Sequence, residues 1–376
     1  MMPLRVLVID DSVVMRRMVR EVLSTDPEIE VVGVAANGRI GLAMIEQLTP
    51  DAVTLDIEMP EMNGLEMLRV LRLTNRNLRV IMFSTLTCQG ALGTLDALAL
   101  GADDYVTKPS NVGSVEAGTE QIKKQLIPKL KVLCGASKAV SAPSVSPLQL
   151  ASASRISVAA PPGAEFVIPP KKNSAMWNSF PRLPERVDVV AIGTSTGGPN
   201  ALGNVIPCLP VDLPVPVLIV QHMPPTFTKF LSDRLNAISR IPVVEAVAGD
   251  VLEPGKAWIA PGDYHVTLKH EHPHTLIETN QQPKENSCRP SVDVLFRSVA
   301  EVYGSHVLAV VMTGMGQDGL RGCEHVREAR GQILVQDEAS SVVWGMPGFV
   351  AKAGLADEVL PLAEIGPAIL RRIAAR

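Results

Sequence analysis

Residues 4–22 read LRVLVIDDSVVMRRMVREV, and this stretch contains the pattern that decides the fold. Residues 4–10 form an apolar run of strand length, and apolar side chains then recur at helical spacing at Met15, Met18, Val19 and Val22. The alternation continues with predicted strands at 31–35, 52–55, 80–83 and 104–107 and predicted helices at 39–48, 65–73, 90–100 and after Val112. Five such units in about 130 residues predict a doubly wound parallel sheet.

A second α/β pattern begins at Val187 and is long enough to form its own core. Its predicted strands cover residues 187–192, 215–220, 257–259, 306–312 and 332–336, with helical segments between several of them. The predicted fold class is therefore α/β, with two doubly wound parallel-sheet domains.

Composition and charge separate these two halves. Residues 1–133 carry a net charge of −3, residues 134–182 a net charge of +4, and residues 183–376 a net charge of −5. The middle segment is rich in Ser, Ala and Pro and loses its hydrophobic periodicity, so it cannot bury enough apolar surface to offset its ordering entropy. We expect domains at 1–133 and 183–376, joined by a flexible linker at 134–182.

The bulk composition excludes several classes of protein. Aromatic residues make up only 3% of the chain and the net charge is −4, which argues against a nucleic-acid partner. No apolar run approaches the roughly 18–20 residues that cross a bilayer. The cysteines are odd in number and scattered, which argues against a disulfide framework or a zinc knuckle: Cys88, Cys134, Cys208, Cys288 and Cys323. We expect a soluble cytoplasmic monomer that does not insert into membranes.

Polar side chains follow the predicted strands of the first half. Asp10 and Asp11 end the first strand, Asp56 the third and Lys108 the fifth. The carboxyl ends of parallel strands share one edge of the sheet, where α/β proteins bind ligands. Crowded carboxylates repel one another unless a cation neutralises them, and hard oxygen ligands suit Mg²⁺. A single aspartate at such a position often only caps the next helix, but the whole set in register favours a phosphate-handling site.

These motifs resemble those of response-regulator receiver domains, which have a flavodoxin-like fold. The resemblance covers residues 1–125. It implies that Asp56 is the phosphoacceptor and that Asp10, Asp11 and Asp56 bind Mg²⁺. It also implies a phosphorylation switch made of the Ser84 hydroxyl, the Tyr105 ring and Lys108, which stands before Pro109.

A glycine-rich turn opens the second half. Residues 189–199 read VVAIGTSTGGP, so Ser195 lies in a G-x-S-x-G sequence between a strand and a helix. Such an elbow exposes a nucleophile, and the helix N-terminus favours developing negative charge. Taken alone, the turn is also compatible with a phosphate-cradling loop of a nucleotide-binding oxidoreductase.

Two further strand ends favour hydrolysis. His222 follows the strand at 217–220, and Asp318 lies in the glycine-rich turn after the strand at 306–312. Serine, histidine and aspartate at neighbouring strand ends are the groups needed for nucleophile, base and orienting acid. Each one alone is more often structural. Their order differs from that of α/β-hydrolases, which excludes that fold.

The order and the motifs resemble the Rossmann-like catalytic domain of chemotaxis-specific protein-glutamate methylesterases, over residues 187–372. Thr194 and Thr196 flank Ser195 as in that family, and the segments APGDYH (260–265) and RPSVDVLF (289–296) also match. The resemblance implies that Ser195 is the nucleophile, His222 the general base and Asp318 its orienting acid. It assigns the backbone N–H of Met315 to the oxyanion hole.

The implied function is a phosphorylation-activated hydrolase of chemotaxis adaptation. Its substrates would be glutamate γ-methyl esters on chemoreceptors, cleaved with release of methanol, and receptor glutamines would be second substrates. A chemotaxis histidine kinase would be the phosphodonor. Mg²⁺ would serve the receiver, and the esterase would need no cofactor. We expect the unphosphorylated receiver to cover Ser195.

Other patterns carry less weight. His270, His272 and His274 alternate and would share one face of a strand as metal ligands do, but their polar surroundings favour a hairpin and loop. A DNA-binding response regulator would need a basic C-terminal domain, whereas this one is acidic.

Overall fold

The chain is described by a computed structural model that covers residues 2–109, 115–140 and 186–374. The N-terminal domain contains a five-stranded sheet with the order β2-β1-β3-β4-β5, and all its strand pairs are parallel. The strands are β1 (Leu4–Ile9), β2 (Ile29–Ala35), β3 (Ala52–Asp56), β4 (Arg79–Ser84) and β5 (Asp104–Thr107). The predicted parallel sheet is confirmed.

In the described part of this domain, five helices connect and follow these strands: α1 (Val13–Ser24), α2 (Gly38–Leu48), α3 (Gly64–Thr74), α4 (Cys88–Ala99) and α5 (Val115–Val140). The first four begin where a side chain accepts a hydrogen bond from a backbone N–H of the first turn, at Ser12, Asn37, Asn63 and Thr87. Local sequence thus sets the point at which the chain leaves each strand end.

Helix α5 extends beyond the predicted domain boundary. It continues to Val140, whereas the linker was expected to begin at residue 134. Leu130, Leu133 and Cys134 are all buried in an apolar cluster of the N-terminal domain, so the helical stripe continues across residue 134. The rest of the predicted linker, residues 141–182, lies outside the described residues.

The C-terminal domain contains a seven-stranded parallel sheet and a separate antiparallel hairpin. Its strands are β6 (Val189–Thr194), β7 (Val217–Gln221), β8 (Val243–Glu245), β9 (Ala257–Ile259), β10 (His265–Glu271), β11 (His274–Asn280), β12 (Val307–Val311), β13 (Gln332–Gln336) and β14 (Glu358–Leu360). The sheet order is β14-β13-β12-β6-β7-β9-β8, and β10 pairs with β11. The five predicted strands are confirmed, whereas β8 and β14, with three residues each, were not predicted.

Residues 186–374 also contain six α-helices: α6 (Gly198–Val205), α7 (Phe227–Ile238), α8 (Val292–Tyr303), α9 (Leu320–Glu328), α10 (Met346–Lys352) and α11 (Leu362–Ala374). The chain runs from the central strand β6 outward to β7 and later returns to β12 on the other side. Strand order therefore reverses at β6, and the carboxyl end of β6 is where such sheets bind ligands.

The hairpin carries the alternating histidines. His270 lies on β10 and His274 on β11, and both are exposed. Among the described residues, the clusters of side chains close enough to hold a metal ion do not include them. The predicted hairpin is confirmed.

Candidate active site

A cluster of carboxylates and one lysine lies at the carboxyl edge of the N-terminal sheet. Strands β1 and β3 bring Asp10 and Asp56 together, and both side chains are buried, whereas Asp11 is exposed. The Lys108 Nζ atom lies 3.0 Å from Asp10 Oδ2 and 2.8 Å from Asp56 Oδ2. The four residues predicted from strand ends thus form one site.

This cluster has the chemistry of a Mg²⁺ site. Burial and the neighbouring charge of Asp10 raise the pKa of Asp56 to about 6, although Lys108 opposes this shift. One carboxylate oxygen from each of Asp10, Asp11 and Asp56 lies within 4.8 Å of the others. A cavity of about 160 Å³ opens beside them. A buried excess of negative charge with hard oxygen donors fits this cation.

Two of the three predicted switch residues, Ser84 and Tyr105, differ in their surroundings. The Ser84 hydroxyl donates to Gly90 O at 2.9 Å, so it faces the start of α4, and Thr85 lines the cavity beside Asp56 instead. The Tyr105 ring is buried and stacks on Phe227 of the C-terminal domain, with 5.2 Å between ring centroids. The tyrosine therefore belongs to the contact between the domains.

Ser195 lies in a tight turn between β6 and α6. Gly197 has a φ of 78°, and a Cβ atom on Gly198 would come within 1.9 Å of Gln221 Oε1, so both positions need glycine. The Ser195 N–H donates to Thr313 O at 3.1 Å, and Gln221 Nε2 donates to Ser195 O at 3.0 Å. These bonds fix the backbone at the position of the nucleophile.

His222 and Asp318 form a hydrogen-bonded pair. Their Nε2 and Oδ2 atoms are 2.8 Å apart, and the Asp318 side chain is almost fully buried. Five further donors hold this carboxylate: the backbone N–H groups of Val292, Asp293 and Gly319, the Ser291 hydroxyl and Asn286 Nδ2. A carboxylate bound so fully keeps one orientation and stays ionised.

The charges of this pair stabilise each other. Burial alone would lower the pKa of His222, but the neighbouring Cys288 and the bond to Asp318 outweigh it and raise that pKa to about 10. Burial likewise opposes ionisation of Asp318, and the His222 contact reverses this and lowers the pKa of the carboxyl. The pair therefore favours a proton on the imidazole.

Ser195 and His222 line one cavity, as their strand ends predict, but they are not bonded to each other. Among the described contacts, His222 Nε2 faces Asp318 and His222 Nδ1 lies 3.6 Å from Cys288 Sγ. Sequence reasoning did not identify Cys288 or Asn286 as neighbours of the site. Both precede the RPSVDVLF segment, but no periodicity predicts the loop that brings them to His222.

The turn after β12 carries Met315. Its neighbour Gly314 bonds to Val343 O, and a Cβ atom on Gly314 would lie 2.9 Å from Ser195 Cβ. The Met315 backbone is therefore one residue from a close contact with the nucleophile. The assignment of its N–H to an oxyanion hole stays a prediction.

The N-terminal domain covers this site. The cavity beside Ser195 measures about 30 Å³, and four residues of the N-terminal domain line it: Leu98, Asp104, Tyr105 and Lys129. The Thr196 hydroxyl donates to Asp104 Oδ2 at 2.6 Å, and Asn200 Nδ2 donates to Leu98 O at 2.8 Å. A volume of this size holds about one water molecule and excludes a peptide side chain.

No helix in the described part of the chain is both long enough and apolar enough to cross a membrane.

Two family models match the chain: the response regulator receiver domain at residues 6–118 and CheB methylesterase at residues 190–369. The two matches coincide with the two sheets described above.

Similar proteins match along nearly the whole chain. A protein-glutamate methylesterase/protein-glutamine glutaminase of Trichodesmium erythraeum is 50% identical, with 98% of this chain and 99% of that protein covered. A protein of the same name from a Nocardioides species is 48% identical, with 99% of this chain and 96% of that protein covered. The solved CheB methylesterase catalytic domain of Thermotoga maritima is 41% identical and covers 50% of this chain and 99% of its own, with a TM-score of 0.49. The chain thus belongs to the protein-glutamate methylesterase/protein-glutamine glutaminase family and combines a receiver domain with a CheB methylesterase domain.

Proposed function

We propose that this chain hydrolyses glutamate γ-methyl esters on chemoreceptors and deamidates receptor glutamines, and that phosphorylation of Asp56 activates it. The observation that carries the proposal is the meeting of Ser195 with the His222–Asp318 pair at one cavity. Family membership supplies the substrate class, and the site supplies the groups that acyl transfer needs.

In the proposed reaction, Ser195 Oγ attacks the ester carbonyl and forms an acyl-enzyme. In its neutral form His222 accepts the serine proton at Nδ1, since Asp318 holds Nε2. The same proton then passes to the leaving methoxide, which departs as methanol. Water next attacks the acyl group, His222 accepts a proton from that water, and the proton returns to Ser195. With an amide substrate, ammonia leaves in place of methanol.

Electrostatic stabilisation would come from backbone groups. The developing oxyanion would accept a hydrogen bond from the backbone N–H of Met315, which lies in the turn that packs against Ser195. Removing one such donor typically costs about 10²–10³ in rate, and base catalysis contributes roughly 10²–10⁴. Of these groups, Ser195 alone forms a covalent bond with the substrate, so its loss should stop the reaction.

Regulation would start at Asp56. A chemotaxis histidine kinase would supply the phosphoryl group, and Asp10, Asp11 and Asp56 would hold Mg²⁺, which neutralises the phosphoryl oxygens during transfer. Lys108, bonded to both buried carboxylates, would then contact the phosphate. Loss of these two ion pairs would change the carboxyl end of β5, and the amino end of this short strand carries Asp104 and Tyr105, which touch the other domain.

The interdomain contact explains why the unphosphorylated chain should be inhibited. A 30 Å³ cavity leaves no room for a glutamyl ester beside Ser195, so the domains must separate before a receptor binds. Each 1.4 kcal/mol of weakened contact corresponds to about a tenfold larger open population. Phosphorylation therefore needs to change the contact energy only modestly.

The domain limits and location follow from the same features. We place the receiver at 1–133 with α5 continuing to Val140, then a linker, and the catalytic domain from residue 183. Cys88, Cys208, Cys288 and Cys323 are free thiols, which supports a cytoplasmic protein. We propose that it acts as a monomer.

Methanol release from methylated receptor tests this function, measured with and without Mg²⁺ and a small phosphodonor. We expect release that rises with the phosphodonor and that is lost in Ser195→Ala. A fluorophosphonate probe adds a second measurement, because it should label Ser195, whereas a phosphate-cradling serine of a nucleotide enzyme would not react. Near-normal methanol release by Ser195→Ala would exclude the proposed nucleophile.

A further inference from the structure

Cys288 lies against the catalytic histidine and has no part in the proposed reaction. Its Sγ atom is 3.6 Å from His222 Nδ1, and the thiol is half-buried. With Asp318 it forms one of the two clusters of metal-capable side chains in the described part of the chain, the other being the carboxylates around Asp56.

We propose that Cys288 Sγ and His222 Nδ1 form a binding site for a thiophilic divalent cation such as Zn²⁺, and that the bound ion inhibits the esterase. The binding part of this proposal stands on geometry alone. The inhibition part rests on the proposed function, because it concerns the histidine that accepts the serine proton.

The spacing of the two donor atoms fits zinc. Zn–S bonds of about 2.3 Å and Zn–N bonds of about 2.0–2.1 Å, at a tetrahedral angle, place sulfur and nitrogen about 3.6 Å apart. The observed separation is 3.6 Å, which matches the spacing that one ion bound to both atoms requires. A thiolate with an imidazole is also a donor set that soft and borderline metals prefer over Mg²⁺.

Asp318 completes the arrangement from the other side of the ring. A histidine that binds a metal usually donates its second ring N–H to a carboxylate, which fixes the ring and raises its basicity. His222 Nε2 and Asp318 Oδ2 have this relationship at 2.8 Å. Asp318 already accepts five other hydrogen bonds, so it acts as the orienting group and leaves metal binding to Cys288 and His222.

Binding of the cation releases protons. The cation displaces the protons of Cys288 Sγ and His222 Nδ1, these protons leave to solvent, and His222 becomes neutral with its other proton on Nε2. Water fills the remaining coordination positions. The Nδ1 lone pair is then coordinated to the metal and cannot accept the Ser195 proton, so His222 cannot act as the general base while the ion is bound.

The test uses the full chain and compares Cys288→Ser with Cys208→Ser, a second free cysteine whose Sγ contacts Asn204 O. Titration with Cd²⁺ should give a sulfur-to-metal charge-transfer band in the unmodified chain and in Cys208→Ser. The band should be lost in Cys288→Ser. In the unmodified chain, Zn²⁺ should also protect Cys288 from iodoacetamide, as mapped by peptide mass spectrometry.

Inhibition is measured as methanol release with a phosphodonor, relative to the metal-free activity of each variant. We expect the half-inhibiting Zn²⁺ concentration to rise at least about tenfold in Cys288→Ser and to stay the same in Cys208→Ser. Equal inhibition of Cys288→Ser would place the ion elsewhere, for example at the carboxylates around Asp56, and would overturn the proposal. So would iodoacetamide labelling of Cys288 that Zn²⁺ does not slow.

Failure of the proposed function gives a different result. If the chain releases no methanol under any condition, the esterase assignment fails, and the charge-transfer band and the protection of Cys288 still decide whether the site binds metal.

Discussion

The Thr196 hydroxyl donates a 2.6 Å hydrogen bond to Asp104 Oδ2, and this bond joins the two domains one residue away from Ser195. The same Asp104 oxygen accepts from Lys129 Nζ at 2.8 Å. A single buried carboxylate on β5 therefore connects the receiver helix α5 with the catalytic turn, and it is the best position at which to test inhibition.

Asp104→Asn should activate the unphosphorylated chain. The substitution removes the charge that Thr196 and Lys129 share, and a hydrogen bond to a charged group contributes about 1.5–3 kcal/mol. The open population should rise roughly 10- to 100-fold. Methanol release without phosphodonor should increase accordingly, and the further stimulation by phosphodonor should shrink.

Asp96→Asn is the matched control. Asp96 also bonds across the domains, to Arg234, but both side chains are well exposed, and exposed ion pairs contribute less than about 1 kcal/mol. Its activity without phosphodonor should change by no more than a few-fold. If Asp104→Asn behaved like Asp96→Asn, the buried carboxylate would not be what holds the domains closed.

Asp318→Asn should reduce kcat by about 10³–10⁴-fold. The amide cannot accept the six bonds that the carboxylate accepts, and it presents N–H donors to groups that are themselves donors. His222 then loses the partner that fixes its orientation. Steady-state methanol release measures the effect, and circular dichroism checks the fold. A loss of less than tenfold would assign Asp318 a purely structural role.

Asp56→Asn should abolish stimulation by the phosphodonor, because the amide cannot form an acyl phosphate. Incorporation of acid-labile phosphate and methanol release are measured on the same sample. Asp51→Asn serves as the comparison, since Asp51 is exposed directly before the same strand and its carboxylate accepts from the Arg5 backbone N–H. Stimulation that survives in Asp56→Asn would mean that another group accepts the phosphate.

Asp293→Asn should change how stability depends on pH. Burial and the charge of Asp318 raise the pKa of Asp293 to about 6 in the folded chain, above its ordinary value of about 3.9. Below about pH 4 both folded and unfolded chains hold the proton. Between pH 4 and pH 6 the unfolded chain loses it first, so this group costs the fold up to about 3 kcal/mol at neutral pH.

The asparagine variant lacks this cost. Its free energy of unfolding, relative to the unmodified chain, should therefore rise as the pH rises from 4.5 to 7.5. Urea unfolding followed by tryptophan fluorescence measures the difference, since Trp258 is buried in the same domain. A difference that stays constant over this range would contradict the raised pKa.

Much of the site could be predicted because it lies at strand ends. Ser195, His222 and Asp56 each directly follow or end a strand, and apolar runs identify strands well. Parallel strands then bring such residues to one edge. Asp318 was predictable for the same reason, since it belongs to the turn after β12.

Contacts that depend on loops and on domain packing were not predictable. Cys288 reaches His222 through an irregular segment between β11 and α8, and no residue pattern specifies its course. Thr196 meets Asp104 only because two separately folded domains pack together. Ser84 follows the rule for strand ends, yet its hydroxyl donates to Gly90 O in the first turn of α4, a local bond that the strand pattern does not specify.

The N-terminal domain that covers Ser195 belongs to the same polypeptide as Ser195, so it competes with the receptor as an intramolecular inhibitor. A receptor must displace an inhibitor whose local concentration is fixed by the chain connection and does not depend on how much protein the cell makes. Dilution cannot relieve the inhibition and overexpression cannot deepen it. The fraction of open enzyme in the absence of receptor should therefore depend on the phosphorylation state and not on the level of expression.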